Sequence, residues 1–229
     1  MTEPRYFALP VDAVLPELCR CLAEQGGAVL EAPPGAGKST RMPLVLLDAP
    51  WRGDDRILVL EPRRVAARAV AGFMAQQLGE SVGQTVGYRT RLDTRVSAAT
   101  RIEVVTEGVL TRMLRADPAL EGYAAVLFDE FHERSLQADL GLALVQEVRQ
   151  ALREDLRLLV MSATLEVGPL AEGLSLPTVR SEGRVFPVEV SHAPPGRDQD
   201  VWDHCARQVE TLAGEGTVLV FLPGVGEIE

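Results

Sequence analysis

Residues 28–40 read AVLEAPPGAGKST: a short apolar run, a loop rich in glycine and proline, and the start of a helix-like stretch. A strand, a glycine-rich loop and a helix in this order are typical of a phosphate-binding loop. Gly35 and Gly37 let the backbone approach phosphate oxygens, and the N–H groups at the start of the helix attract an anion. Lys38 is the only lysine among the 23 lysines and arginines of the chain, and it lies in this loop.

We therefore expect this loop to bind ATP together with Mg²⁺. Lys38 would reach the β- and γ-phosphates, and the Ser39 hydroxyl would coordinate the metal ion. The loop begins with Ala32 where the pattern usually has glycine, and a strand-to-helix turn without a ligand is the alternative interpretation. The candidate ATP-binding residues are Ala32, Pro33, Pro34, Gly35, Ala36, Gly37, Lys38, Ser39 and Thr40.

The rest of the chain repeats this alternation of short apolar runs and longer helix-like stretches. Continuous runs of Val, Ile and Leu indicate strands buried on both faces, so the pattern predicts an α/β fold with a parallel sheet and helices on both faces. The predicted strands are Ala28–Glu31, Ile57–Leu60, Ile102–Thr106, Ala125–Phe128, Leu158–Met161, Val185–Val190 and Val218–Leu222. The predicted helices are Leu15–Gln25, Lys38–Leu47, Val65–Leu78, Gly108–Arg115, Arg134–Leu152 and Gln199–Leu212.

Composition excludes several classes of protein. With 46% hydrophobic and 24% charged residues, the chain has enough apolar content for a core and is not disordered. No run approaches the roughly 18 apolar residues of a membrane span, and the first residues do not resemble a signal peptide. Three cysteines without a Cys-x-x-Cys motif indicate neither a disulfide framework nor a zinc site, so we expect a cytoplasmic protein.

Charge is unevenly distributed along the chain. The net charge of −10 argues against a protein that coats nucleic acid by bulk electrostatics. Residues 56–115, however, hold ten arginines against five acidic residues. This region could form a basic surface that binds phosphates, or it could be an ordinary solvated region rich in arginine.

The predicted strand over residues 125–128 is followed by two carboxylates, Asp129 and Glu130. Ligands of parallel α/β sheets bind at the carboxyl ends of the strands, so this pair can face the phosphate-binding loop. Asp129 would hold the Mg²⁺ shell, and Glu130 would orient and deprotonate the attacking water. Both are candidate metal ligands beside Ser39. The alternative is that the two carboxylates cap the next helix.

Five motifs, in order along the chain, resemble those of DEAH-type superfamily 2 helicases. Phe131 replaces the usual alanine of the DEAH motif, a substitution that looks most like the bacterial HrpB subfamily. The motifs are EPRRVAA at 61–67, TEG at 106–108, DEFHERS at 129–135, SAT at 162–164 and VFLPG at 220–224.

The resemblance implies two RecA-like domains, the first over residues 1–178 and the beginning of a second over 179–229. It implies that His132 couples the nucleotide to the second domain together with Ser162 and Thr164. Taken alone, these three residues could equally be core, capping or turn residues.

The resemblance also implies a nucleic-acid site. Arg63, Arg64, Thr106 and the Gly108 backbone would contact the phosphodiester backbone of a single strand, which the family suggests is RNA. Contacts of this kind position a strand without reading its sequence. The two arginines alone could be the solvated start of a helix.

Members of this family complete the ATP site with arginine fingers from a Gln-x-x-Gly-Arg-x-Gly-Arg motif, which this sequence lacks. The last residues look like an unfinished α/β unit, which suggests truncation. Because an arginine finger accelerates hydrolysis by about 10³–10⁵, we expect this chain to bind ATP and Mg²⁺ but to hydrolyse ATP slowly. A different P-loop NTPase, such as a kinase or transport ATPase, and a non-catalytic nucleic-acid-binding module are the alternative functions.

Overall fold

The structure is a computed structural model that describes residues 8–163, 167–183, 187–214 and 216–228. The chain divides into two compact units, Met1–Val185 and Phe186–Glu229. Within the described residues, no helix is both long and apolar enough to cross a membrane.

The first unit is built on an eight-stranded sheet with the order β4-β3-β5-β2-β6-β7-β1-β8. Every neighbouring pair is parallel except β3 and β4, which are antiparallel. The strands are β1 Gly27–Glu31, β2 Arg56–Glu61, β3 Val86–Arg89, β4 Thr94–Arg95, β5 Ile102–Thr106, β6 Tyr123–Phe128, β7 Arg157–Ser162 and β8 Thr178–Arg180.

Helices cover both faces of this sheet, and each face has its own hydrophobic cluster. Neighbouring residues of β1 point to opposite clusters, Leu30 into one and Val29 into the other. Burial on both faces explains why the central strands are apolar throughout. The helices are α1 Leu15–Gln25, α2 Lys38–Val45, α3 Arg64–Gln77, α4 Glu107–Ala116, α5 Leu136–Ala151 and α6 Gly168–Leu174.

The second unit contains α7 Val201–Leu212 and α8 Val225–Ile228. Asp200 caps α7, because its side chain accepts hydrogen bonds from the backbone N–H groups of Trp202 and Asp203 at 2.8 and 3.1 Å. No residue described in α7 is buried.

The α/β architecture predicted from the sequence is confirmed. The five predicted strands and five predicted helices of the first unit are present with shifts of a few residues at their ends, and α7 matches the sixth helix. The prediction missed β3, β4, β8, α6 and α8.

Two predicted strands, Val185–Val190 and Val218–Leu222, are wrong. Residues 187–190 and 218–222 have no strand, and Val185 with Phe186 lies outside the described residues. The side chains of Val188 and Phe221 are 83% and 86% exposed. A strand needs a hydrogen-bonded neighbour, and an apolar run without one does not form a strand on its own.

The parallel register brings distant parts of the sequence to one edge of the sheet. Glu31 at the end of β1 pairs with Ser162 of β7, Leu60 of β2 pairs with Phe128 of β6, and Glu61 pairs with Thr106 of β5. These strands are followed by the glycine-rich loop and by the segments whose motifs resemble those of DEAH-type helicases. The sheet therefore assembles the candidate site along its carboxyl edge.

Candidate nucleotide and nucleic-acid site

The glycine-rich loop joins β1 to α2, which begins at Lys38. Gly35 and Gly37 have φ values of +77° and +92°, which side-chain-bearing residues rarely adopt. The N–H of Ala32, at the start of the loop, donates to the carbonyl of Ser162 at 2.9 Å. This geometry is the strand–loop–helix context that a phosphate-binding loop requires.

A short N-terminal 3₁₀ segment, Pro10–Val14, supports this loop, and the sequence analysis did not anticipate it. The Val11 N–H donates to the Ala36 carbonyl at 3.1 Å. A side chain at Gly37 would place its Cβ 2.5 Å from Cδ1 of Leu9. Leu9, at the start of this segment, therefore packs directly against Gly37, and Val11 holds the backbone of Ala36 beside it.

An ion pair anchors the same segment to α2. Arg41 donates from Nε and Nη2 to the two carboxylate oxygens of Asp12, at 2.7 and 2.9 Å. The Arg41 guanidinium holds the pKa of the Asp12 carboxyl below its ordinary value. No local sequence pattern indicates this bond, because its partners lie on different elements.

Lys38 and Glu130 form an ion pair, with Nζ and Oε1 2.9 Å apart. The Lys38 side chain is 4% exposed and the Glu130 side chain is 29% exposed. Glu130 has a φ of +49°, in the left-handed region. The glutamate side chain reaches the glycine-rich loop from the end of β6.

Two further carboxylates lie near this pair, because Glu61 at the end of β2 lies beside Asp129. Burial and the negative charge of Asp129 raise the pKa of Glu61 to about 9. Burial also raises the pKa of Asp129, although the Ser39 hydroxyl opposes this by hydrogen bonding. When Glu61 carries a proton, the negative charge shared by Glu61 and Asp129 lies on Asp129.

The residues predicted to hold Mg²⁺ have suitable chemistry for it. The Ser39 hydroxyl and the Glu61 carboxyl hydrogen-bond to the Asp129 side chain, and among the described residues no conventional donor reaches its buried Oδ2. In the part of the chain that the structure describes, no group of three or more His, Cys, Asp or Glu side chains forms a metal site. Mg²⁺ in nucleotide sites commonly uses one or two protein ligands, with phosphates and waters completing the shell, so this donor set fits.

His132 connects the carboxylate end of β6 to the end of β7. Its Nδ1 accepts a hydrogen bond from the Ala163 N–H at 3.3 Å and lies 3.4 Å from Oε2 of Glu130. His132 is thereby placed between the residue that ends β6 and the backbone that follows β7. Ser162 is buried at the end of β7, and Thr164 lies outside the described residues.

The predicted nucleic-acid residues lie at the starts of two helices. Arg63 immediately precedes α3 and Arg64 begins it, and both are exposed. Thr106 immediately precedes α4, and Gly108 is exposed in its first turn with open space where a Cβ would lie. These helix starts belong to the same carboxyl edge of the sheet as the glycine-rich loop.

Comparison with known proteins identifies the class. Residues 13–172 match the family of DEAD/DEAH box helicases, and this chain belongs to that family. It is 54% identical over 225 residues to the ATP-dependent RNA helicase HrpB of Escherichia coli, covering 97% of this chain and 28% of that protein. The human probable ATP-dependent RNA helicase DHX35 is 36% identical over 248 residues, with 99% and 34% covered.

A solved structure shows the same fold. The crystal structure of the E. coli DEAH/RHA helicase HrpB matches with a TM-score of 0.87 and 53% identity, covering 96% of this chain and 28% of that one. The RecA-like fold and the HrpB resemblance predicted from the motifs are confirmed. The chain spans about a quarter to a third of the length of these relatives.

Proposed function

We propose that this chain binds ATP with Mg²⁺ and a single strand of RNA, as the motor portion of a cytoplasmic ATP-dependent RNA helicase. The observation that carries the proposal is the Lys38–Glu130 ion pair at the glycine-rich loop. It joins the group expected to bind the γ-phosphate with the group expected to activate water. RNA is proposed because the relatives are named RNA helicases.

The residues would divide the chemistry among them. The nine loop residues, 32–40, would surround the phosphates, with Lys38 neutralising the terminal phosphate. Ser39 and Asp129 would hold Mg²⁺, which supplies charge stabilisation for the phosphate oxygens when bound. The Glu130 carboxylate lies between Lys38 and His132 in this structure. Once the terminal phosphate binds Lys38, Glu130 would orient the attacking water and accept its proton.

The strand would lie across the starts of α3 and α4. The Arg63 and Arg64 guanidinium groups would bind phosphates, and Thr106 with the Gly108 N–H would donate hydrogen bonds to the same backbone. A second RecA-like domain is proposed for residues 179–229. The RNA contacts and the nucleotide would be coupled to it by Ser162, Thr164 and His132.

The test is ATP binding and steady-state hydrolysis, with Mg²⁺, with and without single-stranded RNA, on this chain and on Lys38→Ala. Arg20→Ala, an exposed cation on α1, is the matched control. We expect binding by the chain and by the control, loss of binding in Lys38→Ala, and slow turnover throughout. Fast turnover that RNA does not change would overturn the proposal and indicate an NTPase of another kind.

A further inference from the structure

The carboxylate Glu130 begins a short segment, residues 130–135, that we call the junction turn. Its middle, Phe131–Glu133, is one 3₁₀ turn. Both flanking residues have positive φ, +49° at Glu130 and +42° at Arg134. Side-chain-bearing residues adopt this conformation only where surrounding contacts impose it, so the contacts of the junction turn determine where Glu130 lies.

One of these contacts reaches the arginine motif. Nε of Arg63 donates to Oε2 of Glu133 at 3.2 Å, and Nη2 lies 3.1 Å from Oε1. The guanidinium and the carboxylate thus face each other with two contacts. Arg63 is a residue that we propose for binding an RNA phosphate.

A second contact reaches the other nucleic-acid motif. The Ser135 hydroxyl donates to Oε2 of Glu107 at 2.7 Å, and its oxygen accepts from the Ala138 N–H at 2.9 Å. Glu107 lies between Thr106 and Gly108 in the sequence. Both segments proposed to bind RNA are therefore bonded to the junction turn.

The other side of the junction turn faces the nucleotide loop. Glu130 pairs with Lys38, and His132 accepts from the Ala163 N–H. Within six consecutive residues, two side chains therefore contact the RNA segments and two contact Lys38 and the end of β7. A segment with contacts of this kind is where occupancy of one site can alter the other.

From these contacts we propose that Glu133 is a positioning residue that couples RNA binding to the placement of Glu130. The inference rests on the proposed function. The Arg63 side chain is 72% exposed, and exposed ion pairs contribute little stability, so an RNA phosphate can replace Glu133 as the partner of Arg63 at small cost. The released Glu133 carboxylate, repelled by the phosphate, shifts the junction turn and with it Glu130.

The test measures coupling between the two ligands and does not depend on turnover. A fluorescent, non-hydrolysable ATP analogue is titrated with Mg²⁺, in the absence and presence of saturating single-stranded oligouridylate. In the unaltered chain the analogue binds about fivefold or more tightly with RNA than without, within the usual range of coupling between sites. In Glu133→Gln this ratio falls to about one, because Arg63 no longer exchanges one anion for another.

A structural defect gives a different result. Glu133→Gln replaces the carboxylate by an amide of similar size. We expect the RNA affinity of this variant, measured without nucleotide, to increase, because no carboxylate competes for Arg63. A misfolded variant would instead lose affinity for both ligands. Glu107→Ala removes the second contact without removing the Ser135 cap of α5, and should lower the ratio partially.

The matched control is Glu121→Gln, an exposed glutamate outside the junction turn that should keep the ratio of the unaltered chain. An unchanged ratio in Glu133→Gln, or no coupling in the unaltered chain, would overturn the role of Glu133. If the unaltered chain bound neither the analogue nor RNA, the proposed function itself would fail.

Discussion

Lys38 Nζ and Oε1 of Glu130 lie 2.9 Å apart, joining the first residue of α2 to the residue that follows Asp129. A buried ammonium group requires an anionic partner, and Glu130 supplies it. The terminal phosphate of ATP is a second anion for the same ammonium group. Binding of that phosphate and release of Glu130 are therefore expected to be linked.

Replacing Glu130 by glutamine should separate binding from hydrolysis. Without its carboxylate the chain has no base at this position, so single-turnover hydrolysis should fall by about 10²–10⁴. Affinity for an ATP analogue should stay equal or increase, because the phosphate no longer competes with a carboxylate for Lys38. Fluorescence titration and phosphate release check the two effects, with exposed Glu147→Gln as control. Equal hydrolysis in Glu130→Gln and the control would contradict the assigned base.

Two glycines of the loop should respond differently to alanine. Both have positive φ, so each substitution costs roughly 1 kcal/mol in backbone strain. A Cβ at Gly37 also lies 2.5 Å from Leu9, whereas no atom of the described residues lies within 4 Å of a Cβ at Gly35. Gly37→Ala should therefore lower the free energy of unfolding more than Gly35→Ala, in chemical denaturation.

A second substitution isolates the steric part of this effect. Leu9→Ala removes the atoms that the new methyl group meets, so Gly37→Ala should be less destabilising in a Leu9→Ala background. Simple addition of the two single effects would show that Leu9 does not constrain the loop.

The Asp12–Arg41 pair should make stability depend on pH in the acidic range. Because the pKa of Asp12 is lowered in the folded chain, its contribution is present above the ordinary carboxylate pKa and is lost as pH falls through the folded value. At pH 7, Asp12→Asn should lower the free energy of unfolding by about 1–2 kcal/mol. The difference in free energy of unfolding between the variant and the unaltered chain should disappear below about pH 4. The exposed control Asp54→Asn should show no difference at pH 7 or below pH 4. A difference that persists in acid would contradict the ion-pair explanation.

Removing the imidazole of His132 should weaken the connection between β6 and β7. His132→Ala leaves the Ala163 N–H without its acceptor and removes the group beside Oε2 of Glu130. We expect RNA stimulation of ATP hydrolysis to fall by about 2–30-fold. The affinity for ATP should change much less, because His132 does not belong to the glycine-rich loop. Equal loss of affinity and stimulation would indicate a structural role only.

The central strands could be predicted because burial on both faces demands continuous apolar runs, as in Ile102–Thr106, whose ends match the structure. Strand β4 has only two residues, both exposed, so it leaves no apolar signal. The opposite error occurred at 218–222, an apolar run for which the described residues of its unit contain no neighbouring strand. Periodicity reports apolar character, but pairing depends on the rest of the chain.

The candidate site divides in a similar way. The loop glycines, Lys38 and the Asp129–Glu130 pair are recognisable because their chemistry requires fixed residue types beside a strand end. Glu61 also lies at the end of a strand, β2. The same signal could have identified it as a site residue, but the sequence analysis did not assign it a role. The support of the loop by Leu9 and Val11 could not be predicted, because it depends on packing between separate elements.

The place of β1 in the sheet has a consequence for synthesis of the protein on the ribosome. Within the described residues β1, the first strand to be made, is bordered by β7 and β8, the last two of the sheet. Nascent chains emerge from the N-terminus, so the strand that carries the glycine-rich loop waits without partners until residues 157–180 have left the exit tunnel. Affinity for ATP should therefore arise abruptly, and only after residues 157–180 have emerged. During that interval an apolar strand is exposed to chaperones and to premature association.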